Sequence, residues 1–199
     1  SVISKEGSES IKKSLAMMDA QGTQIRDLNQ SIQRKDSLNM ALVLNLKRSL
    51  ADVSDEDVQI EVKKGVVYVS LSDKMLFNSG SATINSKAEA VLSKVAKILN
   101  DYKDIEILIE GHTDTVPIAT DKFADNWDLS VIRATSVART LQKKYGVEAV
   151  RMIAGGRGEY LPKVANDSPA NRSMNRRTEI IITPKLDQFF NLYTPNAGK

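Results

Sequence analysis

The stretch Asp104-Ile105-Glu106-Ile107-Leu108-Ile109-Glu110-Gly111-His112-Thr113-Asp114 decides how the chain is read. Asp104 opens it, the run from Ile105 to Glu110 reads as a strand, and Gly111 ends it. A polar loop follows, from His112 to Asp125. Downstream, a helix is expected from about Asn126 to Tyr145, with Leu129, Ala134, Val137, Ala138 and Leu141 facing inward. Gly146 suits the left-handed position after it. Val150 to Ala154 reads as a short strand ended by Gly155-Gly156. A long polar loop is expected over 156–176, and then a last strand from Thr178 to Thr183, stopped by Pro184.

Upstream, Ser86-x-x-Glu89 reads as a capping box for another helix. Its inner face carries Ala88, Val91, Leu92, Val95, Ile98 and Leu99. Before it, Val58, Ile60 and Val62 alternate, Lys63-Lys64-Gly65 turns, and Val66, Tyr68-Val69 and Leu71 resume the pattern, which reads as a hairpin. The order from residue 58 is β-β-α-β-α-β-β. That is an α+β fold, a mixed sheet with two helices on one face.

Residues 1–52 read as an amphipathic helical stalk, 53–184 as the globular domain and 185–199 as a tail. Ile11, Met18, Ile25, Ile32, Asn39 and Leu46 form a column at heptad spacing. Such a column predicts a coiled coil and a homodimer, and Asn39 is the kind of polar member that fixes register. A single helix packed on its own domain is the alternative. About 40 helical residues span about 60 Å at 1.5 Å per residue. The tail carries Phe189, Phe190, Leu192 and Tyr193, which could dock on the domain or on another chain.

Composition excludes several classes. The chain has 199 residues, with Lys+Arg 28 against Asp+Glu 25, a net charge of +3. That balance does not point to nucleic acid. No run of about 18 apolar residues could cross a membrane. The first residue is Ser1 rather than Met, so an anchor upstream is expected. Cys is absent, which rules out thiolate chemistry and disulfides. His112 is the sole histidine, and a zinc site built on carboxylates and one imidazole would be unusual. No metal and no cofactor are expected. Gly155, Gly156 and Gly158 follow a strand but precede no helix, so they make no phosphate loop.

The polar motifs cluster at strand ends and helix starts, where ligands often bind. In order they are Gly111-His112-Thr113-Asp114; Asn126-x-x-Leu129-Ser130-x-x-Arg133-Ala134-x-x-Val137; Gly146-Val147; Gly156-x-Gly158-Glu159-x-x-Pro162; and Asn175-Arg176-Arg177-Thr178-Glu179. Together, over about 66–183, they resemble the OmpA-like peptidoglycan-binding domain. That family includes the C-terminal domain of OmpA, the peptidoglycan-associated lipoprotein and the flagellar stator protein MotB. The resemblance implies an OmpA-like β-α-β-α-β sandwich, here preceded by the hairpin and the N-terminal helix. It also implies noncovalent binding of peptidoglycan at the diaminopimelate of the stem peptide, anchoring an outer-membrane or envelope protein to the wall from the periplasmic side.

By the same resemblance, Asp114 and Arg133 are the key ligand pair. Arg133 would hold the carboxylate of the amino-acid head with two parallel N–H bonds, helped by the helix dipole. Asp114 would take the ammonium. Thr113, Thr115, Asn126 and Leu129 complete the expected site. Of Arg172, Arg176 and Arg177, Arg176 is the one expected on the ligand side. The long 115–125 segment, with Val116-Pro117 and Asn126-Trp127, looks like the MotB branch, so the periplasmic part of a motor stator is the alternative function. His112 is expected to be structural, donating to a backbone carbonyl. Trp127 is expected to pack, and Asn126 could cap its helix. Asp114 and Glu159 lie near arginines that favour their ionised forms, which is wrong for a general acid. An enzyme is therefore not expected.

Overall fold

The computed structural model describes residues 4–185. They divide into two units, 4–38 and Asn39–Lys185. The aromatic tail lies outside the described residues. The long helix α1 (Lys5–Ser49) ends with Lys47 and Arg48, which complement its C-terminal dipole. Through residue 38 its apolar column is open to solvent: Ile11, Met18, Ile25 and Ile32 are 47–65% exposed.

The second unit begins inside α1. Asn39, Leu42 and Leu46 are buried, and Leu50 follows them. Asn39 donates its Nδ2 to the Gly65 carbonyl at 2.8 Å, and Asn45 donates to the Tyr102 hydroxyl at 2.7 Å. Asn39 was expected to set the register of a helix pair. Instead it satisfies a carbonyl in a hairpin turn, because that turn lies within its reach. In the turn, Lys64 (φ 51°) and Gly65 (φ 71°) are both left-handed, the pair of conformations that a tight two-residue hairpin needs.

Among the described residues the sheet has five strands: β1 (Val58–Lys63), β2 (Val66–Ser72), β3 (Ile105–His112), β4 (Met152–Gly156) and β5 (Arg177–Pro184). Their spatial order is β1-β2-β5-β3-β4. Only β3 and β4 run parallel. The register aligns Val69, Ile180 and Ile109 in one row and Val67, Ile182 and Ile107 in the next, and all six are buried. Helices α3 (Ser86–Asp101) and α4 (Asn126–Tyr145) pack on each other, and α4 packs on β3 and β4. Leu92, Val95, Leu99, Val137 and Leu141 complete the core. No helix among the described residues is long and apolar enough to cross a membrane.

The fourth strand was expected at Val150–Ala154, but a 3-10 turn at Ala149–Arg151 delays its start and β4 runs on through Gly155 and Gly156. Two short α-helices were also not expected. After β2, α2 (Asp73–Leu76) is capped by Ser72, whose hydroxyl accepts from the Met75 N–H. In the expected 156–176 loop, α5 (Pro169–Asn175) is capped by Ser168 and has Pro169 in its first turn, where proline sacrifices no bond. Asn175 then pins the preceding loop: its Oδ1 accepts from Lys163 and Val164 N–H, and its Nδ2 donates to the Val164 carbonyl. The start of α3 also differs. Asn85, not Ser86, is the cap, accepting from Ala88 N–H at 2.9 Å.

Candidate functional site

Four chain segments converge where β3 ends. Gly111 makes this possible. A Cβ there would lie 2.1 Å from the Ser130 carbonyl oxygen, so only glycine lets the first turns of α4 sit against the strand. The antiparallel pairing places Arg177 beside both His112 and Ser72. Arg176 therefore arrives next to Asp73, the first residue of α2, and the Asp73 N–H bonds the Arg176 carbonyl at 3.1 Å. The resulting cleft, of about 660 Å³, is lined by Asp73, Thr113, Asp114, Asn126, Leu129, Arg133 and Arg176, with Lys74, Phe77, 78–80 and 116–118 at its sides. Of the expected site residues, Thr115 alone is exposed and outside this lining. It stands in the turn where the Asp114 carboxylate accepts the Val116 N–H at 2.9 Å.

Asp114 and Arg133 line one cleft but do not pair with each other. Arg133 Nη1 lies 2.8 Å from Asp73 Oδ1, its Nε donates to the Ser81 carbonyl at 3.0 Å, and its guanidinium sits 5.1 Å from the centre of the Phe77 ring. Asp114 Oδ2 bonds Arg176. The cleft thus holds two arginine–carboxylate pairs. Burial raises the Asp73 pKa, against the pull of Arg133 and Arg176, and burial lowers that of Arg133. In both partners desolvation outweighs the pairing, so this buried pair is not a strong brace for the fold. Arg133 is also eight residues into α4, beyond the first turn where the helix dipole acts. The expected dipole contribution does not apply.

Asn126 does not cap its helix. Asp125 does, accepting from Asp128 N–H at 3.1 Å. The Asn126 amide instead donates to the Asp114 and Val116 carbonyls and to Glu159 Oε2 at 2.6 Å. It ties the loop after β3 to the loop after β4. Trp127 is not packed inside: it is 47% exposed and stacks on Tyr160 at 5.2 Å. His112 is buried as expected, yet neither ring nitrogen has a partner among the described residues. Asp73 was missed by sequence reasoning. The available signal was Ser72 followed by an acid, a helix start too short to show periodicity.

Residues 76–176, just over half of the chain, match the model of the OmpA family. The chain belongs to the OmpA family. Motility protein B of Bacillus subtilis is 35% identical over 119 residues, covering 60% of this chain and 46% of that protein. The chain thus spans about half the length of that relative. Among solved structures, a MotB-like protein from Desulfovibrio vulgaris has a TM-score of 0.71 at 25% identity, covering 77% of this chain and 95% of that one. The cell wall anchor of the T6SS from Pseudomonas aeruginosa has a TM-score of 0.65 at 35% identity, covering 70% and 97%. The family segment contains Asp114, Asn126, Arg133 and Arg176. Asp73 lies just before it.

Proposed function

We propose that this OmpA-family cleft binds the diaminopimelate of the peptidoglycan stem peptide and so holds an envelope protein to the cell wall. The observation that carries the reading is the double pair in one open cleft, Asp73–Arg133 and Asp114–Arg176. A free amino-acid head has an ammonium and a carboxylate on one carbon. It can exchange partners with both pairs: its carboxylate takes Arg133 and Arg176, and its ammonium takes Asp114 and Asp73. No net charge is then buried. Thr113 and Asn126 supply polar edges and Leu129 an apolar wall. Likeness to the Pseudomonas aeruginosa cell wall anchor supports the reading. It describes a binding module and not an enzyme, since the acids of the cleft face arginines rather than a nucleophile.

The finer parts of the reading are a homodimer formed through α1 and a position on the periplasmic face of the envelope with an anchor in the outer membrane. The exposed column from Ile11 to Ile32 supports the first. The likeness to Motility protein B favours a second reading of the whole protein, the periplasmic part of a motor stator. A membrane-spanning helix bearing a carboxylate in the full gene product would decide for it.

Calorimetric titration with meso-diaminopimelate tests the site. Each charge-assisted bond contributes about 1.5–3 kcal/mol, so Arg133→Ala should weaken binding at least tenfold while the domain stays folded. Unchanged affinity in that variant would sink the assignment.

A further inference from the structure

A second polar cluster lies on β3 and β5, outside the cleft. Glu110 and His112 are two apart on β3 and so point to the same face. The register sets Glu110 directly opposite Glu179 of β5, and like charges so placed ordinarily repel. Among the described residues each carboxylate has one oxygen engaged. Arg157 donates Nε and Nη2 to Glu110 Oε1 at 3.0 and 2.7 Å, and Arg177 donates Nε to Glu179 Oε1 at 2.7 Å. The other oxygen of each, Oε2, faces His112 Nε2 at 3.7 Å. That is too long for a hydrogen bond. His112 is only 2% exposed, and both its nitrogens are unpartnered among the described residues.

We propose that Glu110 Oε2, His112 Nε2 and Glu179 Oε2 form a binding site for one divalent cation of the zinc type, with solvent as the fourth ligand. The three donor groups bring ligand atoms within 4.8 Å of one another. Zinc binds such atoms at about 2.0–2.2 Å, which sets the corners of a tetrahedron roughly 3.3–3.6 Å apart. The two edges from His112, at 3.7 Å, come within a few tenths of an ångström of that geometry, and the edge between the carboxylates, within 4.8 Å, closes as their oxygens are drawn onto the ion. An imidazole with two carboxylates suits borderline ions rather than calcium or magnesium, which take oxygen ligands.

The two arginines have opposite consequences. By holding the Oε1 atoms they aim the Oε2 atoms inward, as outer partners of metal ligands do. Their charge also opposes the cation. Arg157 is half exposed and can turn to solvent, whereas Arg177 is buried. A bound ion would join β3 to β5 just below the ends that carry Asp114 and Arg176. The site stands apart from the peptidoglycan reading, and neither depends on the other.

The test uses untagged, chelator-treated protein with Zn²⁺ or Co²⁺ as the probe. One equivalent of zinc should be retained on dialysis, and cobalt should give the intense visible absorption of a four-coordinate ion. Because His112 is the sole histidine, its imidazole NMR signals report ligation directly, without any variant, and should shift on adding zinc. Glu179→Gln should reduce zinc affinity at least tenfold, and Arg157→Gln should increase it. No stoichiometric uptake at 100 µM metal, uptake with unmoved His112 signals, or equal uptake by a folded Glu179→Gln protein would each overturn the proposal.

Discussion

Residues 5–38 and 39–49 of α1 continue one apolar stripe and meet opposite environments. In the first part Ile11, Met18, Ile25 and Ile32 are exposed. In the second, Leu42 and Leu46 are fully buried and Asn39 bonds the β1–β2 turn. The pattern is the same, but the partner differs. A stripe of apolar residues states that a helix has something to cover. It does not state whether the cover comes from the same chain or from another one. The end of α1 is part of the folded domain, while its beginning has an apolar stripe available for association.

The largest test of this contrast is a pair of fragments. One beginning at Asn39 keeps Leu42, Leu46 and Leu50, and one beginning near residue 55 loses all three. Burial of a leucine contributes about 2 kcal/mol, so the shorter fragment should lose roughly 5 kcal/mol or more, on the order of the whole stability of a small domain. Equal urea midpoints for the two fragments would erase the distinction drawn within α1. At the level of one side chain, Leu46→Ala should cost about 2–5 kcal/mol by leaving a cavity, read as a lower unfolding midpoint of the domain. Asn39→Ala removes a partner of the Gly65 carbonyl and should cost about 1 kcal/mol. If Asn39 were instead a register residue, the same change would alter the association state and leave the midpoint alone. Ile25→Ser should change domain stability least, by about 0.5 kcal/mol or less, while weakening any self-association seen by analytical ultracentrifugation.

Much of the fold was legible because its signals are local. The strand Ile105–Glu110, the helix Asn126–Tyr145 and its Gly146 cap show in periodicity and in one left-handed position, and all three are present. The two short helices were not legible, since α2 and α5 are too short for an amphipathic repeat. Of the candidate site, the ordered motifs brought Thr113, Asp114, Asn126, Leu129, Arg133 and Arg176 together in one cleft. They did not show Asp73, nor that Arg133 pairs with Asp73 and Asp114 with Arg176. Trp127 departs from the expectation because a bulky aromatic at a helix start is ordinarily covered, and here it stacks on Tyr160 and stays half exposed.

Alternation, caps and motif spacing are written within short windows of chain, so the α+β class, the family and the residue types at the strand ends were legible in the order of residues alone. Which charges are neighbours follows from the packing of the sheet. The β2–β5 and β3–β5 registers bring Asp73, Asp114, Arg133 and Arg176 to one cleft, and set Glu110 against Glu179 beside His112. These residues lie far apart along the chain, and charge interactions depend on distance and burial, which only the packed sheet supplies.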